Sequence, residues 1–229
     1  MLVMKSGEKP NLENYSVFFE TLIIVGIQFL SCINLNAQNF DIGIATGFNM
    51  VSVNDIHSSD DDFLYTVYPI ASYNLNGFLS FRNKSFWGFS VEPGIIRKGW
   101  NQSISGLNEK IKIRLNYLQI PILSDFYLSD RFYVSIGPEI NYLINAKNKY
   151  GSHTQDIVKY TNRFELSGMI GISYKINEII STSIRYSHGL TEISDDIVWT
   201  NTEIENPEDA KDFNQYFQIL IKMRLKNWR

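Results

Sequence analysis

Residues 132–142, Phe-Tyr-Val-Ser-Ile-Gly-Pro-Glu-Ile-Asn-Tyr, decide the fold class. Their apolar members share one parity and are Phe132, Val134, Ile136, Ile140 and Tyr142. The other parity holds Tyr133, Ser135, Gly137, Glu139 and Asn141. Because successive side chains of a strand point to opposite faces, this period of two predicts a β-strand with one apolar face. Pro138 has no backbone N–H, so it predicts a bulge or a missing ladder hydrogen bond.

The same alternation recurs along the rest of the chain. Seven further runs show it, at 40–48, 67–82, 86–97, 111–127, 163–176, 180–189 and 215–225. The run 111–127 changes phase near Asn116-Tyr117, which predicts a β-bulge there. An even number of antiparallel strands can close on itself without leaving an edge. The sequence therefore predicts an all-β fold, an eight-stranded antiparallel up-and-down β-barrel.

The connections between these runs alternate in length. Tight turns are predicted at 82–85, 129–131 and 177–178, and long loops at 50–66, 99–110, 145–161 and 192–212. Short turns on one rim and long loops on the other are typical of an outer-membrane barrel. Two of the loops are acidic, and we expect them either to dock an envelope or surface protein or to form a solvated rim.

Alternation alone fits two orientations, because a soluble barrel is apolar inside and a membrane barrel is apolar outside. The polar face here is mostly Gly, Ser, Ala and Asn with isolated charges, which suits a narrow lumen filled by side chains. The apolar face carries aromatic residues near strand ends, as membrane interfaces do. These features favour a transmembrane barrel. A soluble periplasmic or secreted barrel that binds a small apolar ligand, and a narrow porin-like channel, are the alternatives.

Six charged residues fall on the polar parity of the predicted strands. They are Glu92, Glu139, Glu165, Arg185, Lys222 and Arg224. An isolated buried charge costs several kcal/mol, so buried charges must be paired. We therefore expect a structural ionic network that fills the lumen, with a charge-lined pore as the alternative.

The N-terminal segment has the features of a secretory signal. Residues 22–33 are apolar except for one Gln, and this stretch is shorter than the roughly 20 residues that a transmembrane helix needs. Ala37 is small enough to precede a cleavage site. The sequence predicts a signal peptide at 1–37 and one barrel domain at 38–229, with a lipoprotein anchored through Cys32 as the alternative.

Composition excludes several function classes. The chain has 229 residues, with 21 basic and 24 acidic side chains, and lacks the basic excess of a nucleic-acid-binding protein. Its one Cys and three His form no metal-ligand motif, and we expect no metal and no cofactor. Ser187 and His188 are adjacent on a predicted strand and point to opposite faces, so they cannot act as nucleophile and base. No catalytic motif is present, and we expect no enzymatic activity.

Four stretches resemble the PorT-like outer-membrane barrel family. They are Leu115-Asn-Tyr-Leu-Gln-Ile-Pro-Ile-Leu123, Phe132-Tyr-Val-Ser-Ile-Gly-Pro-Glu139, and the later pair Phe164–Tyr174 and Ile184-Arg-Tyr-Ser-His-Gly-Leu190. The chain departs from the family at Gln119, where Glu is usual, and at its non-aromatic last residue, Arg229.

The resemblance implies an eight-stranded transmembrane barrel of the small OmpA/OmpX type in the cell outer membrane. Its partners would be outer-membrane lipids and, during biogenesis, the barrel assembly machinery. The family's name-giving member acts in a protein-secretion and gliding apparatus, so the resemblance also raises a link to secretion machinery. We expect the chain to be a monomer.

Overall fold

The structure is a computed structural model that describes residues 39–56, 65–83, 86–104, 110–193 and 211–228. The chain divides between Ala37 and Gln38 into two units. The predicted signal peptide at 1–37 lies outside the described residues.

Alternating polar and apolar residues make the described part of the chain almost entirely β-structure. Its eleven strands are β1 (Asn39–Ile56), β2 (Tyr65–Tyr68), β3 (Ile70–Arg82), β4 (Trp87–Val91), β5 (Gly94–Ile104), β6 (Ile111–Tyr127), β7 (Phe132–Tyr150), β8 (His153–Asp156), β9 (Phe164–Lys175), β10 (Ile180–Gly189) and β11 (Lys211–Trp228). A short 3₁₀ helix spans Val158–Tyr160. Within the described ranges, no helix has the length and apolar character needed to cross a membrane.

All strand pairs are antiparallel, and the pairings form a circuit. The order β6-β7-β9-β10-β11-β1-β3 is continuous, and β3 returns to β6 through β4 and β5, which both pair with β3 and β6. The short strand β2 adds to β5, and β8 adds to β7. Neighbouring strands therefore satisfy each other's backbone groups all the way around.

The strand count and several strand ends differ from the sequence-based prediction. The predicted strand 86–97 is divided into β4 and β5 at Glu92-Pro93, and the predicted strand 67–82 is divided into β2 and β3 at Pro69. Pro cannot donate a ladder hydrogen bond, which explains both breaks. The loops predicted at 50–66, 99–110 and 145–161 are partly strand, because β1, β5 and β7 continue to Ile56, Ile104 and Tyr150.

The register confirms two local predictions and corrects a third. The β6–β7 ladder does shift between Asn116 and Tyr117, but the extra residue is Ile144 on β7. The change of face predicted for β6 does not occur, because Leu115, Tyr117 and Gln119 are all buried on the same side. The same ladder lacks pairs at Gly137 and Pro138 but keeps its register, so Pro138 removes ladder bonds without adding a bulge. The tight turns after β6 and β9 lie where they were predicted. We call the end of the sheet that carries these turns the turn rim, and the opposite end the loop rim.

The two faces of the sheet are inverted relative to a soluble protein. In β9, Phe164, Leu166, Ile170 and Ile172 are exposed, while Glu165, Ser167 and Ser173 between them are buried. The other long strands follow the same rule, with Ile184 65 % exposed and its neighbour Arg185 2 % exposed. The sheet therefore presents an apolar outer face and buries charged and polar residues on its inner face, together with an apolar cluster that includes Val51, Ile113, Leu115 and Leu143. The orientation that the sequence favoured is the one that the structure has.

Candidate functional site: a charged network on the inner face

The first cluster on the inner face surrounds Glu92, which lies in the break between β4 and β5. Arg185 of β10 donates two hydrogen bonds to its carboxylate, from Nη1 to Oε2 at 2.7 Å and from Nη2 to Oε1 at 2.9 Å. Lys222 of β11 donates from Nζ to Oε1 at 2.6 Å. All three side chains are less than a twentieth exposed. This Glu92 cluster joins strands that are far apart in sequence through one bidentate and one single ion pair.

Asp125 of β6 is a further buried carboxylate on the inner face. It accepts a hydrogen bond from Ser135 Oγ at 2.5 Å. Together with Glu92 it gives two carboxylates for the two bases Arg185 and Lys222, so the formal charges of these four groups cancel.

The second cluster is built around Lys98 of β5, which is fully buried. Its Nζ donates to Glu139 Oε1 of β7 at 3.0 Å and to Glu165 Oε1 of β9 at 2.6 Å. The ammonium also lies 5.4 Å and 5.2 Å from the ring centres of Tyr117 and Tyr216, within the range of cation–π attraction. The Lys98 cluster therefore holds one cation between two carboxylates and two aromatic rings.

Neutral donors complete the coordination of these two carboxylates. Asn141 Nδ2 donates to Glu139 Oε1 at 2.8 Å, and Tyr216 donates its hydroxyl to the other oxygen of Glu139. Ser167 Oγ and Asn214 Nδ2 donate to Glu165 at 2.9 Å and 2.5 Å. Buried carboxylates retain their charge at acceptable cost when several donors replace their hydration.

A third group on the inner face is a chain of amide side chains. Gln218 Nε2 donates to Asn49 at 3.0 Å and to Asn74 at 3.1 Å, and Asn74 in turn donates to Asn76 at 2.6 Å. Gln119 Nε2 donates to the same Asn76 oxygen at 2.9 Å. These amides connect β1, β3, β6 and β11 across the inner face.

Five of the six predicted network residues lie in these two clusters. Glu92, Arg185 and Lys222 meet in one of them, and Glu139 and Glu165 in the other. Arg224 does not join them. It is on the same face but at the turn rim, where it pairs with Asp41 and Glu178, each at 3.1 Å. The expectation that Arg224 belongs to the network is wrong, because it lies beyond the reach of the buried carboxylates and partly in solvent.

Sequence reasoning missed Lys98, although it bridges two of the predicted carboxylates. The predicted strand ended at Arg97, and Gly99 with the polar run after it masked the continuation of β5 to Ile104. Lys98 does keep the parity of Ile96, Trp100 and Gln102, all of which are buried. That parity was the available signal.

Ser187 and His188, which were considered as a catalytic pair, have separate surroundings. Ser187 is buried on the inner face, and His188 is near Tyr186 and Phe213 through ring contacts. In the part of the chain that the structure describes, no three His, Cys, Asp or Glu side chains are grouped as metal ligands would be.

A circuit of antiparallel strands with an apolar outer face and a charged inner face defines a membrane protein that crosses the bilayer with strands. Sequence comparison agrees with this class. Residues 36–195 match the family described as "Outer membrane protein beta-barrel domain". The chain belongs to this family, and it is a protein of the outer membrane.

Comparison with solved structures finds, among others, three proteins at TM-scores below 0.5. Ail, the attachment invasion locus protein of Yersinia pestis, is 13 % identical, with 81 % of this chain and 98 % of Ail covered at a TM-score of 0.45. Neisserial surface protein A is 9 % identical, with 83 % and 100 % covered at 0.49. The outer membrane protease OmpT from Escherichia coli is 9 % identical, with 84 % and 98 % covered at 0.33. No curated protein matches the sequence significantly.

Proposed function

We propose that this chain is an eight-stranded transmembrane barrel, closed by its own side chains, that has a structural or docking role in the outer membrane. The observation that carries the proposal is the inversion of the two faces, with charges buried and large apolar residues exposed. In water such an arrangement would be strongly unfavourable, whereas a bilayer makes the outer face favourable.

The number eight follows if β4 and β5 are counted as one interrupted strand. Both pair with β3 on one side and β6 on the other, so they share one position in the circuit. The short strands β2 and β8 are extensions at the loop rim. The positions are then β1, β3, β4 with β5, β6, β7, β9, β10 and β11.

The outer face has dimensions that suit a bilayer. On β7 and β9, aromatic pairs lie at two levels, Phe132 with Tyr174 and Tyr142 with Phe164, with centroids 4.7 Å and 5.1 Å apart. Phe132 and Tyr142 are ten residues apart, which corresponds to about 33 Å along a strand. A tilt of about 40° reduces this to a height of roughly 25 Å, the height of the apolar band of outer-membrane barrels.

The contents of the inner face favour a closed lumen over a channel. The two ionic clusters and the amide chain use large side chains from opposite parts of the circuit, including Arg185, Lys98, Gln119 and Gln218. An eight-stranded barrel is just wide enough for side chains to fill it. The soluble alternative is disfavoured by the exposed apolar outer face, which water would leave uncovered. The apolar side chains inside, such as Ile113, Leu115 and Leu143, are buried in a cluster with one another.

We expect the purified protein to show no discrete conductance steps in a planar lipid bilayer. The physical reason is that the charged groups inside are bonded to one another and leave no continuous water path. An open porin, inserted by the same protocol, is the matched positive control. Reproducible single-channel steps from this chain would contradict the closed lumen and support the porin-like alternative.

The amino-acid sequence alone supports the more specific proposals about partners, biogenesis and oligomeric state. The acidic segments that would dock an envelope or surface protein lie largely at 57–64 and 194–210, outside the described residues. The PorT-like assignment, the link to secretion machinery, folding by the barrel assembly machinery and the monomeric state are proposals supported by the motifs quoted above. A non-enzymatic role is supported by the absence of a catalytic motif in the sequence.

A further inference from the structure

A group of basic side chains lies on the outer face, near the loop rim. It consists of Arg97 on β5, Lys112 and Arg114 on β6, and Lys147 and Lys149 on β7. We call these five residues the basic patch. Lys112, Lys147, Lys149 and Arg97 are exposed, and Arg114 is half-buried. The patch interrupts a face that is otherwise apolar, so its position needs an explanation.

The register places bases directly opposite bases. Arg114 is the cross-strand partner of Lys147, and Lys112 is the partner of Lys149. Like charges directly opposite each other on a sheet are destabilising. An external anion that neutralised these two pairs would therefore increase the stability of the fold.

Neighbouring groups of the described chain offset only part of the positive charge of the patch. Arg114 donates to Asn101 Oδ1 at 2.8 Å and to the Trp100 carbonyl at 2.9 Å, both of which are uncharged. Arg97 Nε donates to Asn116 Oδ1 at 3.1 Å, also uncharged. The acidic residue that the register brings to the patch is Asp156 of β8, opposite Lys147.

A cleft opens at the end of the patch that is nearer the loop rim. Lys110, Lys112, Lys149 and Gly151 line it, and its volume is about 300 Å³. Lys112 and Lys149 give this open cleft a positive charge that suits a group of high negative charge, such as a phosphate. The Lys110 ammonium lies 4.1 Å from the centre of the Tyr68 ring.

An apolar crevice lies next to the patch on the side of the bilayer. Tyr73, Ile95 and Ile144 line it together with Arg97 and Asn116, and its volume is about 230 Å³. These three apolar side chains are 62 %, 51 % and 53 % exposed. The β6–β7 register shifts at this crevice, where Ile144 has no cross-strand partner on β6. Arg97 therefore lines an apolar groove and belongs to the basic patch.

We propose that this surface binds a phosphate-bearing lipid of the outer leaflet, with its phosphates on the basic patch and an acyl chain in the crevice. The inference rests on the proposed function, because long loops of outer-membrane barrels face outward and so place the patch on the outer-leaflet side, beyond the aromatic level at Tyr142. Clusters of Lys and Arg beside a membrane attract anionic headgroups. Soluble polyanions fit less well, because the chain as a whole is acidic and the apolar crevice would be unused.

The test compares the full chain with the double variant Lys112→Gln/Lys149→Gln, both in phosphatidylcholine vesicles. The probe is lipid A, a diphosphorylated and acylated glucosamine disaccharide, added as a fluorescent analogue. Each base near an anionic surface contributes about 1 kcal/mol, so removal of two should weaken binding about 10- to 30-fold. Both substitutions remove like-charge repulsion, so the variant is expected to fold. Filling the crevice with Ile144→Trp should also weaken lipid binding.

Two controls separate this proposal from simpler ones. Arg131→Gln/Lys159→Gln removes two exposed bases elsewhere and should bind lipid A like the parent chain. Glucose 1-phosphate carries the phosphate without an acyl chain and should compete poorly. Equal affinity of the parent and the Lys112→Gln/Lys149→Gln variant would overturn the proposal, as would equal loss in the control variant. Strong competition by glucose 1-phosphate would overturn the lipid assignment in favour of a soluble phosphate.

Failure of this proposal can be distinguished from failure of the barrel. Each sample is also run on SDS gels with and without boiling. If the chain shows the mobility shift of a closed barrel but does not bind lipid A, only the proposed lipid site is contradicted. If the chain shows no shift, both the proposed function and the proposed lipid site are contradicted.

Discussion

Replacing Glu92 with Gln should lower the free energy of unfolding by about 3–5 kcal/mol, because it removes the carboxylate to which two buried cations donate their hydrogen bonds. Glu92 is 1 % exposed and receives three hydrogen bonds from Arg185 and Lys222. Gln keeps the size of the side chain but loses the charge and one acceptor. Urea unfolding in phospholipid vesicles, followed by tryptophan fluorescence, measures the change.

Glu178→Gln is the matched control for that prediction. Glu178 also pairs with an arginine, Arg224, at 3.1 Å, but its side chain is 87 % exposed. Exposed ion pairs contribute about 0–1 kcal/mol, so this substitution should have little effect. If Glu92→Gln lowered the free energy of unfolding no more than Glu178→Gln does, the charged network would not stabilise the fold.

Arginine at Ile136 or at Ile170 should each cost about 2–4 kcal/mol, the cost of a cation on the lipid-facing surface near the bilayer midplane. Both residues are 49 % exposed and face each other across β7 and β9. In a soluble protein, such exposed positions would accept arginine easily. The single variants are measured separately, because arginine at both would add repulsion between opposite residues.

Leu128→Arg provides the control for the outer face. Leu128 is 75 % exposed, but it lies in the turn between β6 and β7 at the turn rim, where a charge can reach water. This variant should lose less than about 1 kcal/mol, since the cost of a cation falls towards the interface. Ile136→Arg and Ile170→Arg variants as stable as Leu128→Arg would show that the outer face does not contact lipid.

Much of the fold could be predicted from the sequence because its main signal is local. The alternation in 132–142 and 163–176 gives both the strands and the composition of their faces. The phase change at Asn116-Tyr117 was misinterpreted, because Ile113 and Leu115 belong to an apolar cluster on the inner face and β6 does not change face there. The orientation of the faces also followed from composition, since small residues with isolated charges suit a crowded interior. These features require no knowledge of which strands are neighbours.

Features that depend on pairing could not be predicted in the same way. The partnership of Glu92 with Arg185 joins residues 93 positions apart, and only the circuit of strands brings them together. Lys98 was missed because Gly99 interrupts the alternation. Arg224 was misassigned because parity gives the face of a strand but not the depth along it. The strands extend past their predicted ends because pairing sustains polar segments such as Lys147–Tyr150 that have no apolar face.

The most direct test of the central claim is the electrophoretic mobility of the protein from the outer-membrane fraction, with and without boiling in SDS. A closed membrane barrel resists SDS until it is heated, so the account predicts a band in that fraction that shifts on boiling. A water-soluble protein whose mobility is the same before and after boiling would contradict the account, because the exposed apolar face would then have no bilayer to cover it.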